Sequence, residues 1–164
     1  MVTLRPATPQ DIESLTSIYN HAVLHTTATF DTEERTLREQ KEWYEAHGPS
    51  HPILVAERDG RIMGWGSLKA WSPRKAYSKT VENSLYLHPS YWKQGMGTLL
   101  LEALINEAYR LEHHTIIARI ADGNEVSLSL HKKFGFQMIG VMKEVGEKFD
   151  RLLDVHLMQL ILNK

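Results

Sequence analysis

Cysteine is absent from the 164 residues. That removes disulfides, thiolate metal ligands and any mechanism built on a cysteine nucleophile, and it fits a cytoplasmic chain. Long apolar runs are missing too. Nowhere do about 18 apolar residues follow one another, so no transmembrane helix is expected. The opening residues Met1-Val2-Thr3-Leu4-Arg5 show no basic segment leading into an apolar one, so no secretory signal is expected. There is no excess of one charge: 19 Lys and Arg stand against 20 Asp and Glu, net −1. Nucleic acid and membrane surfaces are therefore poor candidates for the main partner. Repeats, low-complexity tracts and linkers are lacking. What remains is ordinary globular composition, 42% hydrophobic and 24% charged, in a single expected domain over residues 1–164. A chain of this length buries roughly 70% of its unfolded surface and needs no disulfide or metal staple.

Patterning predicts β, α, α, β, β, β, α, β, α, β, β. Val2–Arg5 reads as a strand. Thr8 as N-cap, Pro9 at the first helical position and Asp11 in the first turn open a helix whose apolar face carries Ile12, Leu15, Ile18, Tyr19, Ala22 and Val23. Thr36-Leu37-Arg38-Glu39 is a capping box that opens a second helix. Ile53–Glu57 and Arg61–Leu68 are strands joined through Asp59-Gly60, a strong hairpin signal. Thr80–His88 is a strand stopped by Pro89. A helix from Thr98 to Leu111, a β-branched strand Thr115–Ala121 and a helix Glu125–Lys133 closed by Gly135 follow. Phe136–Met142 and Leu152–Leu162 are the last strands. This order makes an α/β chain, an α+β mixed sheet with helices on both faces.

The segment Tyr91-Trp92-Lys93-Gln94-Gly95-Met96-Gly97-Thr98 lies between a strand and a helix. Its glycines allow a tight turn and close backbone approach, and the helix start offers unpaired N–H groups to an anion. A Gly-x-Gly alone fits a ligand-free turn equally well. The loop lacks the Gly-Lys-Ser/Thr ending of a nucleotide P-loop and the third glycine of a dinucleotide fingerprint.

Strand, Trp92-Lys93-Gln94-Gly95-Met96-Gly97, helix, strand, Asn124 and His131-Lys132-Lys133-Phe134-Gly135-Phe136 together resemble the GNAT superfamily of N-acetyltransferases, over essentially the whole chain. Three further segments are similar to its phosphinothricin and methionine sulfoximine acetyltransferases. They are Ile18-Tyr19-Asn20 with Thr29-Phe30, Trp71-Ser72-Pro73-Arg74-Lys75-Ala76-Tyr77 followed by Thr80-Val81-Glu82, and Asp154 ahead of the final strand. The resemblance implies a GNAT fold with a splayed parallel strand pair and acetyl-CoA as cosubstrate in the cleft. Its pyrophosphate would rest on backbone N–H groups of Lys93, Gln94, Gly95, Met96, Gly97 and Thr98. Its pantetheine arm would pair with Leu85, Tyr86 and Leu87, and Asn124 and Lys133 would touch the rest. A homodimer is also implied, with the apolar final strand as local support. Three positions depart from the pattern. Trp92 stands where the superfamily usually has Gln or Arg, so its side chain is expected to be expendable. Ser72 and Leu152 replace a basic and an aromatic residue of the relatives.

The implied reaction is direct transfer of acetyl from acetyl-CoA to the amine of a small amino-acid-like acceptor of the phosphinothricin, methionine sulfoximine or methionine sulfone type. An aliphatic amine is mostly protonated at neutral pH, so a base must act. Glu82 is the candidate: partial desolvation in a cleft would make it a better base. On the residues alone it equally fits a strand carboxylate paired with Lys or Arg. His131 is the candidate acid for the departing thiolate, with a plain helix-surface His as the other reading. The segment Arg74-Lys75-Ala76-Tyr77 is expected to hold the acceptor, Arg74 through its bidentate fork. Phe30 either covers the acceptor's side chain or anchors core. Among nine histidines, His113 and His114 point apart, and His21 and His25 have no evident third ligand, so no metal is expected. Acetylation of peptide N-termini and non-catalytic binding of acyl-CoA are the rival functions.

Overall fold

The computed structural model describes residues 1–163. Its strands are β1 (Thr3–Pro6), β2 (Ile53–Arg58), β3 (Arg61–Ala70), β4 (Thr80–Leu87), β5 (Thr115–Ala121), β6 (Gln137–Lys148) and β7 (Arg151–Ile161). Its helices are α1 (Ile12–His25), α2 (Leu37–Glu45), α3 (Met96–Arg110) and α4 (Glu125–Lys133). One seven-stranded sheet runs β1-β2-β3-β4-β5-β7-β6. Every neighbouring pair is antiparallel except β4 and β5.

Local chemistry explains most boundaries. Asp59 and Gly60, at φ 52° and 76°, make the tight β2–β3 turn that their identity announces. Thr36 accepts from Glu39 N–H and starts α2. The expected helix at Pro9 begins as a 3-10 turn, Pro9–Asp11. There Asp11 is buried and accepts from Arg5 at 2.7 and 2.9 Å and from Thr8 N–H at 2.8 Å. The guanidinium holds this carboxyl below its usual range. β6 runs six residues past its expected end at Met142, because its pairing with β7 resumes after an irregularity between Met142 and Gly146. Asp154, expected ahead of the final strand, lies inside β7 and serves that irregularity. It accepts from Glu144 N–H and Lys143 Nζ, both at 2.8 Å.

The sheet buries both faces. On one, Leu100 and Leu104 of α3 pack with Leu54, Val81, Ile116 and Met158. On the other, Leu15, Tyr19 and Val23 of α1 pack with Val55 and Trp65. Trp65 Nε1 donates to the Leu15 carbonyl at 3.2 Å, which fixes α1 on the sheet. Gly66 lets α3 sit close: a methyl there would lie 2.8 Å from both Leu104 Cδ1 and Leu85 Cδ2. Among the described residues, no helix is long and apolar enough to cross a membrane.

Candidate active site

The parallel contact between β4 and β5 is short. Thr80, Val81 and Glu82 face Thr115, Ile116 and Ile117, and pairing then stops. Both strands continue, β4 to Leu87 and β5 to Ala121, each hydrogen-bonded only to its outer neighbour. From Asn83 to Leu87 the inner edge of β4 therefore presents backbone groups that β5 leaves unpaired, and apart from the Leu87 carbonyl, which Trp92 takes, an extended amide-bearing chain can use them. A cavity of about 430 Å³ opens at this split. It is lined from β4 by Glu82 to Tyr86, from β5 by Ala118 to Ala121, and by Asn124, Ser127 and His131. The loop Thr27–Asp31 and residues Met142 and Val145 of β6 close it over.

The glycine loop stands at the end of β4. Lys93 and Gly95 take positive φ, 61° and 83°, and Gly95 is the N-cap of α3. The Leu99 N–H bonds back to the Gly95 carbonyl at 3.2 Å. The N–H groups of Met96, Gly97 and Thr98 ahead of it have no acceptor within the helix, so the helix start offers donors and a positive dipole end. At Gly97 a methyl would lie 3.3 Å from Leu130 Cδ2, so the glycine also allows α4 to approach. The Trp92 side chain, expected to be expendable, has partners in this arrangement. Its Nε1 donates to the Leu87 carbonyl at 3.0 Å and its ring meets His21 edge-on at 5.9 Å. Gln94 Nε2 likewise donates to Ser90 O at 3.0 Å. Both side chains brace the loop and leave anion binding to the backbone.

The two expected catalytic residues flank the split from opposite faces, as the alternation of Glu82 and Asn83 along β4 requires. Glu82 is 6% exposed, and both its oxygens are occupied. Arg119 donates to them from Nε and Nη2, each at 2.7 Å, and Lys69 Nζ lies at 3.5 Å. The paired carboxylate and the cleft carboxylate are thus the same group. His131, on the other side, is 3% exposed. Burial pushes its pKa down, which favours the neutral ring. Nδ1–H donates to the Ser127 carbonyl at 2.7 Å, and Nε2 accepts from Asn83 Nδ2 at 3.0 Å. The nitrogen from which a proton donor would act is the one that Asn83 engages. Asn83 Oδ1 is buried without a protein partner.

Other expected positions separate. Arg74, Lys75, Ala76 and Tyr77 form an exposed 3-10 turn with its N-cap and do not line the cavity. Lys133 is exposed and outside it as well. Tyr86 also lines the cavity, with its ring packed on Tyr19 and Trp65 at 5.1 and 4.9 Å. Leu85 lines the cavity, and Leu87 marks the end of the open edge. Asn124 caps α4, accepting from Ser127 N–H at 3.3 Å. Phe30 is no core anchor. It is 38% exposed, lines the cavity, and lies against Gly146, where no side chain would fit.

Several residues of the site were given no role by the sequence. Tyr19 hydroxyl bonds Thr29 Oγ1 at 2.9 Å and donates to Asp31; burial and that carboxylate push its pKa up to about 12. Arg35 lies 3.9 Å over the Tyr19 ring and is held by Asn20, which bonds both its N–H and its carbonyl. Buried Lys148 donates to Thr29 O at 2.8 Å. These contacts fix the Thr-rich loop over the cavity. Arg119 was legible only as a charge inside a β-branched strand.

Comparison with known proteins agrees with this geometry. The acetyltransferase (GNAT) family matches residues 15–136. The chain is 40% identical to a methionine sulfoximine and methionine sulfone acetyltransferase of Salmonella typhimurium, covering 99% of this chain and 96% of that one. A phosphinothricin acetyltransferase of Sinorhizobium meliloti, solved with acetyl-CoA, superposes with a TM-score of 0.95 at 33% identity, covering 98% of this chain and 88% of that one. A ribosomal-protein-alanine N-acetyltransferase of Brucella melitensis also superposes with a TM-score of 0.95, at 37% identity, covering 98% and 99%.

Proposed function

Because the chain belongs to the acetyltransferase (GNAT) family, we propose that it transfers acetyl from acetyl-CoA to the amine of a small amino-acid-like acceptor, of the methionine sulfoximine, methionine sulfone or phosphinothricin type. The observation that carries this reading is the continuity of two half-sites. The open edge of β4 leads from the unpaired N–H groups of α3 into a cavity whose charged lining is Arg35, Lys69 and Arg119 against Asp31 and Glu82. A loop of backbone donors suits pyrophosphate, a free strand edge suits pantetheine, and a lining with both charge signs suits an acceptor that carries both.

In this reading the acceptor amine attacks the thioester carbonyl carbon. The N–C bond forms, the C–S bond breaks, and the amine proton passes to Glu82 directly or through one water. The thiolate leaves and takes its proton from solvent, the donor this reading prefers to the buried His131. With no cysteine to carry an acyl group, transfer is direct. His131 instead positions Asn83 beside the open strand edge. Arg74 and Tyr77 keep no role inside this chain's own cavity.

We place the enzyme in the cytoplasm on its lack of cysteine, and as a homodimer on one apolar surface. Strand β6 is the sheet edge and exposes Met138, Ile139, Val141 and Val145, and Leu152 and Phe149 follow on the same hairpin. Such a patch favours a partner.

The test is CoA release with methionine sulfoximine, methionine sulfone, phosphinothricin and an N-terminal peptide as acceptors. Turnover on a small acceptor supports the reading. Turnover on the peptide alone moves the function to protein N-termini, the reading that the Brucella neighbour favours. Acetyl-CoA binding with no turnover on any acceptor leaves a binding module.

A further inference from the structure

Lys69, Glu82 and Arg119 form a charge ladder across β3, β4 and β5 on one face of the sheet. Lys69 stands opposite Glu82 in the β3–β4 register. Glu82 faces Ile117 at the last paired position of β4 and β5, and Arg119 is the next residue of β5 on that face. The Arg119–Glu82 pair therefore spans the two strands where they part, at the head of the split.

Its members differ in exposure. The Glu82 side chain is 8% exposed and that of Arg119 is 45%, with the guanidinium 5.4 Å over the Trp71 ring. Arg119 covers the carboxylate like a cap. As it stands, both oxygens of Glu82 are engaged by Arg119, so an amine that reaches the carboxylate competes with the guanidinium. A bare ammonium entering here would meet Arg35, Lys69 and Arg119 and find the carboxylate already occupied. A zwitterion meets a matched pair of partners.

We propose that Arg119 is the specificity-determining receptor for the acceptor's carboxylate, and that the acceptor binds by partner exchange: its carboxylate takes Arg119 and its ammonium takes the released Glu82. The exchange leaves the net charge of the cavity unchanged and breaks no covalent bond. Lys69 stays beside Glu82 throughout, so the carboxylate is never left without a cation. Guanidinium is suited to this role because its planar fork accepts one carboxylate for another with the same bidentate geometry. Amines without a carboxylate leave the cap in place and are poor acceptors. This inference rests on the reading of a small amino-acid-like acceptor.

The experiment compares kcat/KM for methionine sulfone and for the same molecule lacking its carboxylate, in the wild type, Arg119→Gln and Arg119→Lys. The wild type is expected to favour the carboxylated acceptor. Arg119→Gln should lower that preference ~10- to 100-fold, chiefly through KM, the size of a lost charge-assisted hydrogen-bonded pair. Arg119→Lys keeps the charge without the fork and should fall between; it carries the test if the Gln variant does not fold. An unchanged preference overturns the proposal. So does an equal loss on both acceptors, which would make Arg119 only a clamp on the strands. Neither result touches the small-acceptor reading, which fails separately if the wild type uses neither molecule and acetylates a peptide.

Discussion

Glu82→Gln keeps the shape of the side chain and removes its charge and its ability to take a proton. Two effects follow and can be estimated apart. For stability, one of the two 2.7 Å bonds from Arg119 is lost, and the Lys69 attraction at 3.5 Å goes with it. Breaking a fully buried ion pair costs about 3–5 kcal/mol. Here the side chains of Arg119 and Lys69 are 45% and 48% exposed and regain water, so about 1–2 kcal/mol is expected. For a chain of this size that lowers Tm by roughly 2–8 °C. For catalysis, losing the proposed general base should lower kcat by about 10²- to 10⁴-fold. Acetyl-CoA affinity should hold, because the proposed donors for pyrophosphate are backbone groups of α3. The assay is direct: a thiol reagent reads released CoA without background, as the chain has no cysteine, and calorimetry reads acetyl-CoA binding. Wild-type kcat together with wild-type affinity would refute Glu82 as the base and leave deprotonation to water.

Three further outcomes are expected. Gly66→Ala forces a methyl to 2.8 Å from Leu104 and Leu85 and 3.1 Å from the Ser84 carbonyl; overpacking should cost about 1–3 kcal/mol, and an unchanged urea midpoint would contradict the close fit of α3. Trp92→Phe keeps a ring but loses the bond to the Leu87 carbonyl; acetyl-CoA affinity measured by calorimetry should fall by about 3- to 10-fold, the size of one ordinary hydrogen bond, whereas no change would show the side chain to be expendable. Burial depresses the folded-state pKa of His131 and His47 below 6.5. The unfolded chain therefore binds protons first, so their contribution to stability is complete above about pH 6.5 and is lost as pH falls toward the folded values. The slope is at most about 1.4 kcal/mol per pH unit per histidine. A Tm series from pH 8 to pH 5 checks it; a Tm that rises on acidification would reverse the sign.

Most of the architecture was legible because local rules act within a few residues. Asp59-Gly60, the capping box at Thr36 and the β-branched run Thr115–Ala121 each meet the chemistry of one turn or one strand. What was not legible shares a cause. β6 was cut short because Lys143, Glu144 and Glu147 hide its alternation, while its actual extent is set by a partner strand and by Asp154. His131 sits on a helix whose sequence shows an ordinary polar face. Its burial, which lowers its pKa, and its bond with Asn83, 48 residues away, are set by the fold. The Arg74–Tyr77 turn is specific as a string yet lies outside the cavity, because a motif records residue types and not the direction in which a loop leaves the sheet.

The pair at the centre of the site shows where that limit falls. Glu82 and Arg119 are 37 residues apart on parallel strands, joined through α3. Alternation along each strand tells which residues share a face, but not which face of β5 matches which face of β4. Register decides it. With Glu82 opposite Ile117, Arg119 stands one side-chain repeat beyond, on the same face, where the strands separate. A slip of one residue would turn Arg119 toward α3 and leave Glu82 with Lys69 alone. It would also put Ile116 and Ile120, buried against α3 and its neighbours, onto the cavity side. The apolar packing that sets the register therefore also sets the charge pair, and so determines whether the candidate base begins the reaction free or capped.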